Sequence, residues 1–315
     1  MTGRDHGGGI DAAAARFGGA RADWIDLSTG INPVPYPLPD LPPRLWRDLP
    51  DAAGQAALIA AARAFWSVPA AAALLPVPGL SSVIPRLPAL AAPGRVAIPG
   101  PTYNEYAPAF AAAGWQVSSD DPAPTDDAAV VVHPNNPDGR HHAAPARTLR
   151  LRVIDESFCD LTPAASLVAE AAAPATLVLK GLGKFWGMGG LRLGFVIGDP
   201  RLCDALAAQL GPWSVSGPAQ AIGTAALSDT GWAAATRARL RADATRLDAR
   251  LAARGAALAG GTDLFRLYDV PDAAALQDHL ARSQVWTRIF PWSPRLIRLG
   301  LPAPADWPRV DAALA

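Results

Sequence analysis

Lysine is almost absent from this chain of 315 residues: Lys180 and Lys184 are the only two, so arginine carries nearly all of the positive charge. Cysteine is as scarce, with Cys159 and Cys203 alone, too few for a disulfide framework and suited to a reducing cytosol. Net charge is also missing, since 28 basic residues balance 28 acidic ones. Nothing therefore selects a polyanionic partner, and no basic tail or aromatic–basic stripe argues for nucleic acid. Half of the chain is hydrophobic, but alanine supplies much of that share and no apolar run is long enough to span a bilayer. The stretch Met1–Gly9 lacks the basic-then-apolar layout of a signal peptide. Gly-x-Ser-x-Gly and Walker-type Gly-Lys-Ser/Thr motifs do not occur. His141-His142 invites a metal reading, yet no Cys or carboxylate spacing completes a site, so no metal is expected. These absences point to a soluble cytoplasmic protein without a membrane or nucleic-acid partner.

What is present centres on residues 176–198. Leu177–Leu179 reads as a buried strand, a glycine-rich turn holding Lys180 and Lys184 follows, and Leu193–Ile197 resumes a strand pattern. A lysine kept in an apolar turn of an arginine-biased chain suggests an amine that must lose its proton, which arginine cannot do at working pH.

Upstream, residues 1–45 are irregular and proline- and glycine-rich, and 32 prolines stiffen the connections of the whole chain. Ala56–Trp66 has helical spacing. Leu74–Val77 is a short strand, followed by Pro78-Gly79-Leu80-Ser81-Ser82 and by apolar positions 83, 84, 87 and 90 at helical spacing. A strand, a small-residue turn and a helix expose backbone N–H groups to an anion, and Ser81 reads equally as a helix N-cap. Arg95–Ile98, Val130–Val132 and Leu151–Ile154 are further strands, with a helix from about Asn104 to Ala113 between the first two. Helical patterns cover Pro200–Leu210, Ala219–Leu227 and about Trp232–Arg254. The last 60 residues alternate helices with the strand patterns Leu264–Tyr268, Val285–Ile289 and Leu296–Leu299. The expected fold is α/β: a mostly parallel central sheet with helices on both faces plus a small α+β domain. The expected division is an N-terminal segment 1–45, a large domain 46–228 and a small C-terminal domain 229–315.

Gly79-Leu80-Ser81, Tyr103, Asn136, Asp155 and Lys184 each follow a strand, so they gather on one edge of the sheet, where ligands bind in open α/β folds. A backbone nest with Arg192 suits a phosphate. Tyr103 suits stacking on a flat ring, Asn136 a ring hydroxylate, Asp155 a protonated ring nitrogen and Lys184 an aldehyde. Together these needs describe pyridoxal phosphate.

At these residues the chain resembles the fold-type I pyridoxal-phosphate enzymes of the class I/II aminotransferase group. Within that group it is similar to the threonine-phosphate decarboxylases of cobalamin biosynthesis, with histidinol-phosphate aminotransferases next. The resemblance runs through His6-Gly7-Gly8, Ile31-Asn32-Pro33, Pro101 to Tyr106, Pro134 to Gly139, Val153 to Phe158, Lys184 to Gly194, Pro212 to Val215 and Ile297-Arg298-Leu299. It implies that Lys184 is the Schiff-base lysine, Asp155 the pyridinium partner, Asn136 the O3′ donor, Tyr103 the stacking residue and Arg192 the phosphate arginine. It further implies that Arg298 takes the substrate α-carboxylate, that Arg288 serves the substrate phosphate, and that His6 and Asn32 line the substrate pocket. A phosphorylated amino-acid substrate and a homodimer follow from the same likeness. The alternatives are an aminotransferase of the histidinol-phosphate type and a non-catalytic pathway partner on the same fold.

Three departures stand out. Gly183 and Gly181 replace hydroxyl residues that touch the cofactor phosphate in this group. Asp48-Leu49-Pro50-Asp51 lacks the tyrosine that often reaches the neighbouring subunit's phosphate. Phe158 stands where aminotransferases commonly carry a tyrosine on O3′. The phosphate is then left to Ser81, Ser82, backbone amides and Arg192, with Lys180 an auxiliary charge at most.

Overall fold

The computed structural model describes residues 6–315, so Met1–Asp5, part of the terminus read above as free of a signal peptide, lie outside the described residues. Two compact units emerge. One contains Tyr36–Asn136 and His141–Ala233; the other contains residues up to Pro35, Pro137–Arg140 and Ala234–Ala315. Among the described residues no helix is long and apolar enough to cross a membrane.

The first unit is built on seven strands: β1 (Ala73–Val77), β2 (Arg95–Ala97), β3 (Gln116–Ser118), β4 (Ala128–Val132), β5 (Leu151–Asp155), β6 (Thr176–Gly181) and β7 (Gly194–Gly198). Their order across the sheet is β1-β7-β6-β5-β4-β2-β3. β7 runs antiparallel to both its neighbours, and every other adjacent pair is parallel. Every residue of β4, β5 and β7 is buried. Successive side chains of a strand point to opposite faces, so the centre of this sheet is covered on both. Val77, Val96, Phe110, Val130, Val153, Leu177 and Leu206 belong to its main apolar core. Register aligns the ends of β4 and β5, where Val132 pairs with Asp155, and Asp155 pairs with Leu179 two residues before β6 ends at Gly181. The loops leaving β4 and β5 therefore start side by side, and the one leaving β6 starts two residues further along.

Helices run Ala52–Phe65, Tyr106–Ala112, Pro200–Leu210 and Gly217–Ser228. Asp51, Asp199 and Ser216 cap the first, third and fourth by accepting from backbone N–H groups. One expectation fails after β1. Residues 83–90 do not form an α-helix but the 3₁₀ runs Leu80–Ser82 and Ile84–Leu90. Pro85 and Pro88 lack the amide hydrogens that α-helical turns need, so apolar spacing alone misreads the segment.

The second unit holds a four-stranded antiparallel sheet of β8 (Ala257–Thr262), β9 (Phe265–Asp269), β10 (Arg288–Phe290) and β11 (Ser293–Gly300), in the order β10-β11-β9-β8. Val285–Ile289, expected as one strand, is split at Thr287. Val285–Trp286 pairs in parallel with Ile25–Asp26, while β10 pairs with β11. Gln277 donates to the Thr287 carbonyl at 2.7 Å, which takes that group out of the sheet. β8 has no sequence signal, because Ala257-Leu258-Ala259-Gly260-Gly261 lacks β-branched and aromatic residues. Those glycines admit a backbone instead: Gly261 donates to the Asp138 carbonyl at 2.7 Å, and a Cβ on Gly139 would lie 1.9 Å from the Gly261 oxygen. Residues 1–45 are also less irregular than expected. Ile10–Phe17 forms a helix whose Ile10 and Ala13 pack with Trp24 and Ala281.

Candidate active site

The strand-end loops of the first unit enclose a cavity of about 260 Å³. Gly79, Leu80, Ser81, Tyr103, Asn136, Asp155, Lys184 and Arg192 all line it. The eight residues singled out for a cofactor, spread over more than a hundred positions, thus meet in one place. Ser157, Phe158 and Met188 line it as well.

At one end sits an anion cradle. Arg192 adopts the left-handed conformation at φ 54° and donates to the Gly189 carbonyl at 3.0 Å and to Ser81 Oγ at 2.6 Å. Gly79 has φ +77°, and a Cβ there would come within 2.7 Å of the Arg192 guanidinium. Only glycine provides both the backbone angle and the room. Ser82 turns away from the cradle, donating to the Gly79 carbonyl at 2.7 Å. The phosphate donors foreseen from an α-helical N-terminus are therefore reduced to the Gly79–Ser81 turn and Arg192.

In the middle lies Asp155, 3% exposed. Its Oδ1 accepts from the Ser157 amide at 2.9 Å and from Ser157 Oγ at 2.5 Å; its Oδ2 accepts from Tyr106 Oη at 2.6 Å. Among the described residues no cationic side chain pairs with this carboxylate. A buried anion that lines a cavity without a countercharge calls for a cationic ligand. A protonated pyridine nitrogen meets that need, and the cradle meets the need of a phosphate, so the donor set fits pyridoxal phosphate. Burial and the facing Asp155 push the Tyr106 phenol well above the ordinary tyrosine range, so it stays a donor at any working pH. Lys184 lies with Nζ 5.6 Å from the centre of the Phe158 ring. That phenyl group has no hydroxyl to offer a cofactor oxygen.

The neighbouring loops are tied together from below. Thr102 Oγ1 donates to Asn135 Oδ1 at 2.6 Å, and Asn135 Nδ2 donates to the Pro101 carbonyl at 3.0 Å. The turn carrying Tyr103 is thereby fixed to the loop carrying Asn136. Tyr103 and Tyr106 meet edge to face at 6.1 Å.

Lys180 corrects an expectation. It is no auxiliary charge for the phosphate but a buried cation, 2% exposed, 2.5 Å from Glu156 Oε2 and 3.7 Å from Asp160 Oδ1. Successive β6 side chains alternate faces, which sends Lys180 away from the cavity that Gly181 lines. Although burial pulls its proton affinity down, Asp160 and Glu156 together hold it above the ordinary lysine value. Asp160 also accepts from the indoles of Trp66 at 2.8 Å and Trp186 at 3.0 Å. Glu156, His133 and Cys159 lie close enough to suggest a metal site. Their atoms are already engaged: Glu156 by Lys180, Ser166 and Leu167, and His133 by the Ala165 carbonyl and the His142 amide.

The other four candidates belong to the second unit. Asn32, 2% exposed, accepts from Arg239 at 2.6 Å and from the Val34 amide at 3.0 Å. Arg298, 4% exposed, donates to the Ser28 carbonyl at 2.6 Å, with its guanidinium 5.2 Å from the Phe265 ring centre. Arg288 stands directly opposite Arg298 in the β10–β11 register. His6 is exposed. Sequence reasoning missed the roles of Tyr106 and Ser157, although both lie in the motifs quoted above, three residues after Tyr103 and two after Asp155.

Comparison with known proteins places these features in context. The Aminotransferase class I and II family matches residues 129–306. A threonine-phosphate decarboxylase of Sinorhizobium sp is 44% identical, over 98% of this chain and 97% of its own. That of Pseudomonas aeruginosa is 41% identical with the same coverage. Among solved structures, histidinol-phosphate aminotransferase from Sinorhizobium meliloti in complex with pyridoxal-5′-phosphate superposes with a TM-score of 0.81 at 17% identity, over 98% of this chain and 93% of its own. That likeness speaks for the fold.

Proposed function

The chain belongs to the aminotransferase class I and II family, and from that membership we propose that it is a pyridoxal-phosphate-dependent lyase. Its reaction is the decarboxylation of O-phospho-L-threonine to (R)-1-aminopropan-2-yl phosphate for the cobalamin nucleotide loop. The observation that carries this reading is the near-full-length identity of 44% and 41% to two threonine-phosphate decarboxylases. The pairing of Arg288 with Arg298 across one sheet supports it. A substrate carrying both a carboxylate and a phosphate offers one anionic group to each of these guanidinium groups.

When bound, pyridoxal phosphate supplies a sink for the electrons of the broken Cα–carboxylate bond. Gly79, Leu80, Ser81 and Arg192 hold its phosphate, Tyr103 stacks on the ring, Asn136 donates to the ring oxygen and Asp155 pairs with the ring nitrogen. Phe158, a phenyl group in the same lining, offers no donor to that oxygen. Lys184, which lines the same cavity, would hold the cofactor through its aldehyde carbon and would be the amine that carries a proton to the substrate Cα. Arg298 forks onto the substrate α-carboxylate, Arg288 takes the phosphate, and Asn32, held by Arg239, lines the pocket with His6.

The working unit in this reading is a cytoplasmic homodimer. Leu38, Trp46 and Leu49 are 69%, 70% and 67% exposed within a dozen residues, an apolar stretch that a second copy would cover. A single turnover with phosphothreonine tests the activity. Carbon dioxide with the cofactor recovered as pyridoxal phosphate is the expected result. Pyridoxamine phosphate with the carboxylate retained would overturn it in favour of an aminotransferase. A visible absorbance band that disappears in Lys184→Ala separates both from a non-catalytic protein.

A further inference from the structure

Asp155 has an unusual set of partners for a buried carboxylate. Its three donors are neutral, two from Ser157 and one from Tyr106. Ser157 lies two residues away and closes a local turn on Oδ1. Tyr106 is different in kind: it lies 49 residues away in sequence, is fully buried, and is the sole side chain of the described residues that donates to Oδ2. It opens the helix Tyr106–Ala112, whose entry turn is bolted to Asn135 through Thr102 and Pro101. The phenol is thus held by a helix, a turn and a ring contact with Tyr103, and has little freedom to leave the carboxylate.

We propose that Tyr106 is a positioning residue that acts through Asp155. Its hydroxyl supplies the hydrogen bond that water would give an exposed carboxylate, and it fixes the orientation of a carboxylate group that lines the cavity. A donor to a carboxylate stabilises the anion relative to the acid. A proton shared between the carboxylate and a pyridine nitrogen then resides on the nitrogen, where it makes the ring an electron sink. Without the phenol, the same proton moves toward Asp155. This inference rests on the pyridoxal-phosphate reading of the site, and it adds to that reading a residue that never touches the cofactor.

The test is Tyr106→Phe, which removes one oxygen and keeps the ring packing. Cofactor-free wild type and variant are titrated with pyridoxal phosphate and with its 1-deaza analogue, in which carbon replaces the ring nitrogen. Wild type should prefer pyridoxal phosphate, and Tyr106→Phe should lose about tenfold to a hundredfold of that preference, the range expected for a hydrogen bond to a charged group. Affinity for the deaza analogue should change less than threefold. With nitrogen-15 in the ring, the variant's resonance should move toward the unprotonated position, and kcat for phosphothreonine should fall at least tenfold with KM within about twofold. Equal preference in wild type and variant, with unchanged nitrogen shifts, overturns the role of Tyr106 and leaves the cofactor reading intact. Failure of wild type to distinguish the two compounds overturns the pairing of Asp155 with a ring nitrogen itself. Should Tyr106→Phe not fold, 2,3-difluorotyrosine at position 106 keeps the ring and makes its hydroxyl a stronger donor to Oδ2: a changed preference between the two compounds supports the inference, and an unchanged one overturns it.

Discussion

Replacing Lys180 by methionine keeps the length of the side chain and deletes its charge. In the native protein that charge lies 2.5 Å from Glu156 and 3.7 Å from Asp160, with both the lysine and Glu156 almost wholly buried. Asp160 would keep its two indole donors, and Glu156 would keep Ser166 and the Leu167 amide. Neither set brings a countercharge. Breaking a buried ion pair by removing one partner costs about 3–5 kcal/mol, since the other charge stays in a medium that solvates it poorly. For a domain of this size that lowers the melting temperature by roughly 6–20 °C. Calorimetry and denaturant titration of the cofactor-free protein measure both quantities. The double variant Lys180→Met/Glu156→Gln removes the pair together and should recover more than half of the loss. A single variant within 1 kcal/mol of wild type, or a double variant whose loss is the sum of the two singles, would refute the account of Lys180 as a compensated buried cation.

Three further outcomes follow from the same geometry. Gly183 needs no positive φ, and the atom nearest to an added Cβ is Gly189 Cα at 3.5 Å; Gly183→Ser should fold normally and tighten pyridoxal phosphate roughly twofold to tenfold, and a weaker dissociation constant by absorbance titration would count against a cofactor phosphate at this loop. Gly139→Ala combines φ +73° with a Cβ 1.9 Å from the Gly261 oxygen, so its melting temperature should drop by several degrees, with amide exchange accelerating first in β8 and β9. Glu170 is held below the ordinary glutamate range by hydrogen bonds from Arg147 and Arg152. The native state therefore binds fewer protons there than the unfolded chain does. This contribution is complete at neutral pH and disappears as pH falls through and below the glutamate range. Glu170→Gln should be less stable than wild type at pH 7, by about 1–3 kcal/mol, and the gap should close toward pH 3.

Residue type and order made Lys184, Asp155, Asn136, Tyr103 and Arg192 legible as a set. In a parallel sheet the carboxyl ends of neighbouring strands share one edge, so knowing where strands end is enough to know which loops meet. The same logic located the Gly79–Ser81 turn but not its conformation, because Pro85 and Pro88 override the helical spacing around them. It also found the small C-terminal sheet only in part. Apart from Leu258 and the terminal Thr262, β8 is alanine and glycine, and its strand character comes from pairing with β9.

What the chain alone determined is the chemistry on offer: one lysine able to act as an amine, a carboxylate at a strand end, and an arginine after a glycine-rich turn. Tertiary structure decided what the other member of each similar pair does. Lys180 and Lys184 stand four apart in sequence, yet strand alternation buries the first between two carboxylates and leaves the second at the cavity. Tyr103 and Tyr106 stand three apart, yet one lines the cavity and the other grips Asp155 from 49 residues away. Such assignments depend on which face of an element meets which neighbour, and that is settled by packing between segments distant in sequence.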